Sequence, residues 1–235
     1  MLSQSQRSQP LEVRKHKTAR DFALDTLRRA IVEGRLLPGQ ELRDNELSQQ
    51  MGISRTPVRE AIQVLEVQGF VVHPPFSKPT VSQQSAEQIE EVYMIRKALE
   101  GIATYHACLL IDARGLQRLK RLTREEARII ERGESVSWSK CNRRFHTALY
   151  AASGKPFLCR QIDWLLDLST IYMMTSEEFL RQRLEGSNAD HIRIVKACEA
   201  RNPELARRIL EDHLEKSAAL LMDYASTIKE QRPQQ

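Results

Sequence analysis

Beyond Val81 the apolar residues of this 235-residue chain recur at helical spacing and nowhere alternate as a half-buried strand would. A run of that length without strand signals can bury its apolar stripes only by packing helix on helix. Ser85 is placed to cap a helix over 86–110, with Ile89, Val92, Ile95, Leu99 and Ile102 along one stripe. Asp112 is placed to cap a second, ending at Gly133, and a third runs over 136–152 and stops at Ser153-Gly154. Pro156 opens a fourth, to about residue 174. Residues 175–187 read as a broken or shorter helix, and a separate helix follows over 188–200. Asn202-Pro203-Glu204 supplies a cap, a first-turn proline and a first-turn acid, and opens the last helix, to about residue 228.

The first third of the chain is different. Helical spacing over 18–33 stops at Gly34 and Pro38-Gly39; a short helix over 44–51 follows, and Gly52 turns the chain. Ser54 has the position and chemistry of an N-cap, Pro57 sits harmlessly in the first turn, and a third helix runs over 55–68 with Val58, Ala61, Ile62 and Leu65 inward. Phe70-Val71-Val72 and Thr80-Val81 flank a proline-rich tip, which makes an edge hairpin. A helix, a tight turn, a second helix and a hairpin describe a winged helix-turn-helix. Arg55 and Arg59, four apart at the head of the third helix, share one face. They are placed either to fork onto guanine or phosphate or to line a solvated surface.

Charge agrees with this division. Residues 1–80 carry 12 Lys and Arg against 9 Asp and Glu, and the whole chain has a formal net charge of +5. That balance permits nucleic-acid binding without demonstrating it. No stretch approaches the roughly 20 uninterrupted apolar residues of a membrane span. The polar N-terminus has no apolar core of a secretory signal, and residues 1–17 read as a mobile arm. The four cysteines form no C-x-x-C pair, as expected of a reduced cytoplasmic chain.

The segments Leu36-x-Pro38-Gly39-x-x-Leu42, Glu46-Leu47 and Gly52-Ile53-Ser54-Arg55-Thr56-Pro57-Val58-Arg59-Glu60-Ala61-Ile62, followed by Gly69, resemble the GntR family of bacterial transcription regulators. The resemblance covers residues of about 18–72. It implies a winged helix-turn-helix that binds double-stranded DNA, a short inverted repeat, as a homodimer. It places Arg55, Thr56 and Arg59 at DNA-contacting positions, with Ser54 beside them. The chain departs from the family at Asn45, where members often carry a basic residue, and at Ser77-Lys78-Pro79 in the wing, where Lys78 is the remaining cation for DNA.

The helical half resembles the FadR-type effector domain of that family, known as FCD. Arg96-Lys97-x-Leu99-Glu100, Asn142-Arg143-Arg144-Phe145-His146, Asp190-His191 and His213-Leu214 carry this second resemblance. It implies a divalent metal on Asn142, His146, His191 and His213. Residues 142 and 146 are one turn apart, and the other two histidines come from two further helices. Imidazoles favour zinc or nickel. Asn142, where members carry Asp, brings no charge, so weak occupancy is expected. Arg96 is placed either to anchor a small carboxylate effector or to pair with Glu100 at i+4, and Tyr93 either lines the pocket or packs in the core. Trp138 and Trp164 read as packing residues.

Domains are therefore expected over 18–82, for DNA binding, and 85–228, for the effector, in a mainly α protein. Two other classes stand beside a ligand-responsive regulator. A helical-bundle metal-dependent enzyme lacks support, because the positions three before the histidines are Arg143, Asn188 and Leu210 rather than the Glu of a di-iron Glu-x-x-His motif. A regulator that senses metal alone remains open.

Overall fold

The computed structural model describes residues 18–83, 85–173 and 177–231. The expected arm over 1–17 lies outside the described residues.

Helix α1 (Ala19–Val32) begins at a reciprocal cap. The Thr18 hydroxyl accepts from the Asp21 amide at 3.1 Å, and the Asp21 carboxylate accepts from the Thr18 amide at 3.2 Å. Its Ala23, Leu27, Ala30 and Ile31 are buried. Helix α2 (Asp44–Met51) ends at Gly52, whose φ of 66° is the left-handed conformation that glycine adopts without strain. Helix α3 (Arg55–Val67) buries Val58, Ala61, Ile62 and Leu65 against α1 and α2. Ser54 occupies the N-cap position with extended backbone, but its hydroxyl makes no capping bond, contrary to the expectation from sequence. The first-turn amides of α3 therefore stay open at the exposed end. Strands β1 (Val71–Val72) and β2 (Thr80–Val81) pair antiparallel, Val71 with Val81 and Val72 with Thr80, and form the wing.

The second part is a bundle of α4 (Ala86–Leu110), α5 (Ala113–Glu131), α6 (Ser135–Ala151), α7 (Pro156–Met173), α8 (Glu177–Glu199) and α9 (Pro203–Gln231). Local chemistry sets the starts of three of these. Ser85 and Gln88 form a capping box on α4, Asp112 accepts from the Gly115 amide at 2.7 Å on α5, and Asn202 accepts from the Leu205 amide at 3.0 Å on α9. Helix α4 packs chiefly on α9, α5 on α6, and α8 on α9. The break expected over 175–187 is absent from 177 onward, where α8 runs unbroken through Gly186-Ser187-Asn188. Ser187 and Asn188 face the core, and the burial they complete outweighs the roughly 1 kcal/mol cost of a mid-helix glycine.

Helix α7 joins the two parts. The Trp164 indole N–H donates to the carbonyl of Gln68, the C-cap residue of α3, at 3.2 Å. Next to it Gly69 holds a left-handed φ of 78° that glycine adopts without strain, and Leu168 of α7 packs against it. Trp164 is thus a bridge between the two parts rather than simple packing. On its other side α7 is held by Arg143 of α6, which pairs with Asp167 at 2.8 Å.

Candidate functional site

Four helices each send one stripe of polar side chains into the centre of the bundle. Helix α6 contributes Trp138, Asn142, His146 and Tyr150, successive residues at i+4 on one face. Helix α8 adds Arg183, Ser187 and His191, α9 adds His213 and Ser217, and α4 adds Tyr93, Arg96 and Glu100. All are buried. The histidines expected to meet do meet: ligand atoms of His146, His191 and His213 lie within 4.8 Å of one another. Asn142 sits beside them, accepting from the Ser187 hydroxyl at 3.4 Å.

Hydrogen bonds around the cluster fix where the ring protons lie. The Tyr150 hydroxyl donates to Glu100, so its oxygen accepts from His146 Nδ1 at 2.8 Å. Burial first, and then Glu100, hold the Tyr150 hydroxyl well above its usual value, so it stays a donor. Glu126 of α5 accepts from His191 Nδ1 at 2.7 Å. With both rings neutral, each keeps a bare Nε2, and these two nitrogens face each other at 3.3 Å. Two lone pairs in that position repel unless a cation, or a proton on one of the nitrogens, lies between them. The Glu126–His191 pair is the carboxylate–imidazole arrangement that orients metal-binding histidines.

His213 differs. Its Nδ1 lies 2.8 Å from an Arg183 nitrogen, and because guanidinium only donates, Nδ1 accepts and the proton resides on Nε2. Asp190 Oδ2 stands 3.7 Å from the same Nδ1. It is the carboxylate in reach to take the Nδ1–H that a metal-binding His213 would need. The residues therefore fit a divalent cation, with His146 and His191 ready and His213 ready after that exchange. The ion would supply a fixed positive charge and open positions for an oxygen ligand.

Arg96 meets one of its two expected roles. Its Nε donates to Glu100 at 2.6 Å, the ion pair that the i+4 spacing allowed. Its Nη1 has no partner, and the residue borders a cavity of about 10 Å³ with Tyr93, Trp138, Asn142 and His213. Trp138 is buried as expected; its indole N–H is unpaired, and the residue borders this cavity.

Sequence reasoning did not single out Glu126, Tyr150 or Arg183. Tyr150 and Trp138 were findable, since each lies four residues from a predicted ligand on α6. Glu126 and Arg183 reach the site across helices, which no spacing within one helix reveals.

Burial holds the imidazoles of His146 and His213 well below the ordinary histidine value, with neighbouring charges, His191 for His146 and Arg183 for His213, adding to it. In the unfolded chain both protonate near ~6.5, so below that pH the unfolded state binds more protons than the folded one. Metal-free protein is therefore expected to lose up to about 1.4 kcal/mol per histidine for each pH unit below ~6.5. Urea midpoints at neutral pH and one unit below ~6.5 measure this; equal midpoints would contradict it.

At the other end of the molecule, Ser54, Arg55, Thr56 and Arg59 are exposed at the head of α3. Arg55 pairs with Asp44 of α2 at 3.3 Å, and Arg59 bonds the same carboxylate. Burial alone would raise the Asp44 carboxyl, but the bonds from Arg59 and Arg55 hold it below its usual range. Lys78 of the wing pairs with Glu41. Between α3 and the wing lies an open groove of about 430 Å³, bordered by Asp44, Asn45, Arg59, His73 and Lys78. Exposed pairs of this kind are worth ~0–1 kcal/mol, so the cations can be exchanged onto phosphate or a base edge at little cost.

Comparison with known proteins agrees with this division. Residues 91–216 match the FCD domain family, and residues 19–75 match the bacterial regulatory proteins of the gntR family. The chain is similar to the HTH-type transcriptional regulator McbR of Escherichia coli (strain K12), with 28% identity over 200 residues, 83% of this chain and 89% of that one. It is 30% identical over 191 residues to the "Probable D-xylose utilization operon transcriptional repressor" of Paenarthrobacter nicotinovorans, covering 78% of this chain and 80% of that one. The solved structure of E. coli McbR/YncC superposes with a TM-score of 0.72 at 26% identity, covering 88% of this chain and 98% of that chain.

Proposed function

As a member of the gntR family of bacterial regulatory proteins, with the FCD domain, this chain is a DNA-binding transcription regulator and not an enzyme; we propose that it binds an inverted-repeat operator as a dimer and that a small carboxylate and a divalent metal in the bundle control its affinity. In this reading residues 18–82 bind DNA, residues 85–228 hold the ligands, and the protein works in the cytoplasm beside its operator. Arg55 and Arg59 reach base edges in the major groove, Ser54 and Thr56 bind at the open amides of the helix head, and Lys78 contacts backbone phosphate. Zinc or nickel sits on His146, His191 and His213, with Asn142 a weak oxygen ligand. Arg96 and Tyr93 bind the carboxylate.

The observation that carries the proposal is the pair of bare Nε2 atoms of His146 and His191, 3.3 Å apart in the core, on a helix linked mechanically to DNA. His146 shares α6 with Arg143, Arg143 holds α7 through Asp167, and α7 holds the end of α3 through Trp164. A ligand that shifts α6 acts on the recognition helix through two bonds. Zinc titrated calorimetrically into chelator-dialysed protein tests the site: about one ion per chain is expected, and no uptake contradicts the metal reading.

The dimer is assigned to α4. Ile95, Ile102 and Leu109 are exposed and seven residues apart, with Ala98 and Tyr105 between them on the same face. This seven-residue apolar seam suits an equivalent helix. Ile102→Glu places like charges across the two-fold axis and is expected to shift the protein to monomer at micromolar concentration. Light scattering measures it, and an unchanged dimer mass would remove α4 from the interface.

A further inference from the structure

Two non-glycine residues among those described hold a left-handed backbone, Arg201 at φ 52° and Phe76 at φ 60°. Side chains other than glycine enter that region only at a cost. Arg201 has a visible reason: it follows α8, and its guanidinium donates to the carbonyls of Cys108 and Leu109 at 3.0 and 3.1 Å. Phe76 has none within its own chain. It stands at the tip of the wing and is fully exposed.

The tip that carries it is rigid. The Ser77 amide donates to the Pro74 carbonyl at 3.2 Å and closes a tight turn over Pro74-Pro75-Phe76-Ser77. Proline at the second position fixes a negative φ there. With a positive φ at the third, the turn is type II, whose third position is ordinarily glycine or asparagine. The Ser77 hydroxyl donates to the same Pro74 carbonyl at 2.9 Å, and His73 Nε2 donates to the Ser77 carbonyl at 3.0 Å. Lys78, next in the chain, is tied to Glu41. Glycine at position 76 would make the same turn without strain. A phenyl ring there holds nothing together inside the molecule, and a rigid tip loses little freedom when its ring is taken up by a partner.

The surroundings say what that partner is. The groove between α3 and the wing is bordered by Arg59 on one side and by His73 and Lys78 on the other. A sugar–phosphate strand lying between these cations has the major groove on the side of α3 and therefore the minor groove on the side of the wing tip. A phenyl ring brings no hydrogen bond to base edges. Its apolar faces are satisfied by sliding between two stacked base pairs.

Resting on the reading above that α3 lies in the major groove, we propose that Phe76 is a wedge that enters a base step beside each half-site from the minor-groove side, unstacks it and bends the operator. Wedges of this kind kink the duplex by about 20–90°. Pyrimidine–purine steps unstack most easily, so Phe76 sets a sequence preference at a step where the protein makes no hydrogen bond.

The test uses full-length protein and operator DNA selected from a random pool, with 2-aminopurine, whose fluorescence rises on unstacking, placed in turn at each step flanking the half-sites. With the parent, one flanking step is expected to brighten, the selected sequences to carry TA or CA there, and end-to-end energy transfer to report a bend of at least about 20°. Phe76→Gly keeps the turn. It is expected to leave every step dark, to lose the preference at that step and to weaken operator binding about tenfold, equivalent to about 1.4 kcal/mol. Its urea midpoint is expected to match that of the parent; a clear fall would assign the ring to the fold and overturn the proposal. Phe76→Leu keeps an apolar wedge and is expected to retain the bend. A parent complex in which all flanking steps stay stacked, or brightening that survives Phe76→Gly, would overturn the wedge while leaving α3 in the major groove. Operator binding unaffected by both Arg59→Ala and Phe76→Gly would overturn the major-groove reading and this inference with it.

Discussion

Arg59→Ala is expected to lower operator affinity by about 1–3 kcal/mol for each half-site, and so by about 2–6 kcal/mol for a dimer on its full operator. The argument starts from geometry. Arg59 and Arg55 lie one turn apart at the exposed head of α3, and both rest on the single carboxylate of Asp44. That shared carboxylate gathers the two guanidinium groups at the head of α3, with Arg59 bordering the groove between α3 and the wing, so less rotamer freedom is lost on binding DNA. If Arg59 forks onto a guanine, its removal also relaxes preference at that base pair, and Arg59→Lys does not rescue it, because an ammonium cannot present two parallel donors. Lys78→Ala should differ in kind, weakening binding evenly across sequences and reducing the salt dependence. Anisotropy titrations with DNA selected from a random pool measure both. Unchanged affinity in Arg59→Ala would remove this residue from the interface.

The second large effect is expected at the histidines. His191→Ala removes one of the two facing Nε2 atoms and leaves Glu126, whose Oε1 is already unpartnered, without its remaining hydrogen bond among the described residues. Zinc uptake should be lost, and the variant should also be less stable by about 3–5 kcal/mol, because a buried carboxylate is left uncompensated. Glu126→Gln separates these consequences. It keeps an acceptor for the His191 Nδ1–H but removes the charge behind the ring, and zinc affinity is expected to fall about 10- to 100-fold. Asn142→Asp works in the other direction. The side chain already lies beside the cluster, with its oxygen held by Ser187. Restoring a carboxylate there should tighten zinc by on the order of 1 kcal/mol or more. Metal analysis after dialysis against zinc reads all three variants. Full uptake by His191→Ala would contradict the proposed ligand set.

Much of this was legible from residue order, for identifiable reasons. Helix starts were marked by local chemistry, such as Ser85, Asp112 and Asn202, and local chemistry does not depend on the rest of the fold. The convergence of His146, His191 and His213 came from a family resemblance, since three residues on three helices have no common period. Gly186-Ser187-Asn188 misled because its propensity marks a break, whereas Ser187 and Asn188 are buried and complete the helix–helix contact. Glu126 and Arg183 escaped notice because an isolated Glu or Arg in an amphipathic helix is normally solvated. Only the packing of α5 on α6 and of α8 on α9 shows that these two point inward. Arg96 shows a different limit. Its two expected roles seemed to compete, but a guanidinium has several edges, and the structure gives Nε to Glu100 and leaves Nη1 without a partner.

The central claim is that occupancy of the buried histidine site sets DNA affinity. Its most direct test is one titration: selected operator DNA against chelator-dialysed protein, with and without one equivalent of zinc, for the parent and for Asn142→Asp. Coupling between ligand and DNA sites through a two-state element is typically about 1–3 kcal/mol. Zinc is therefore expected to change the operator Kd of the parent by at least about fivefold, and the change should be reached at lower zinc in Asn142→Asp. Zinc that binds both proteins without altering either Kd would contradict the account, since the histidine cluster would then be a structural site with no hold on the recognition helix.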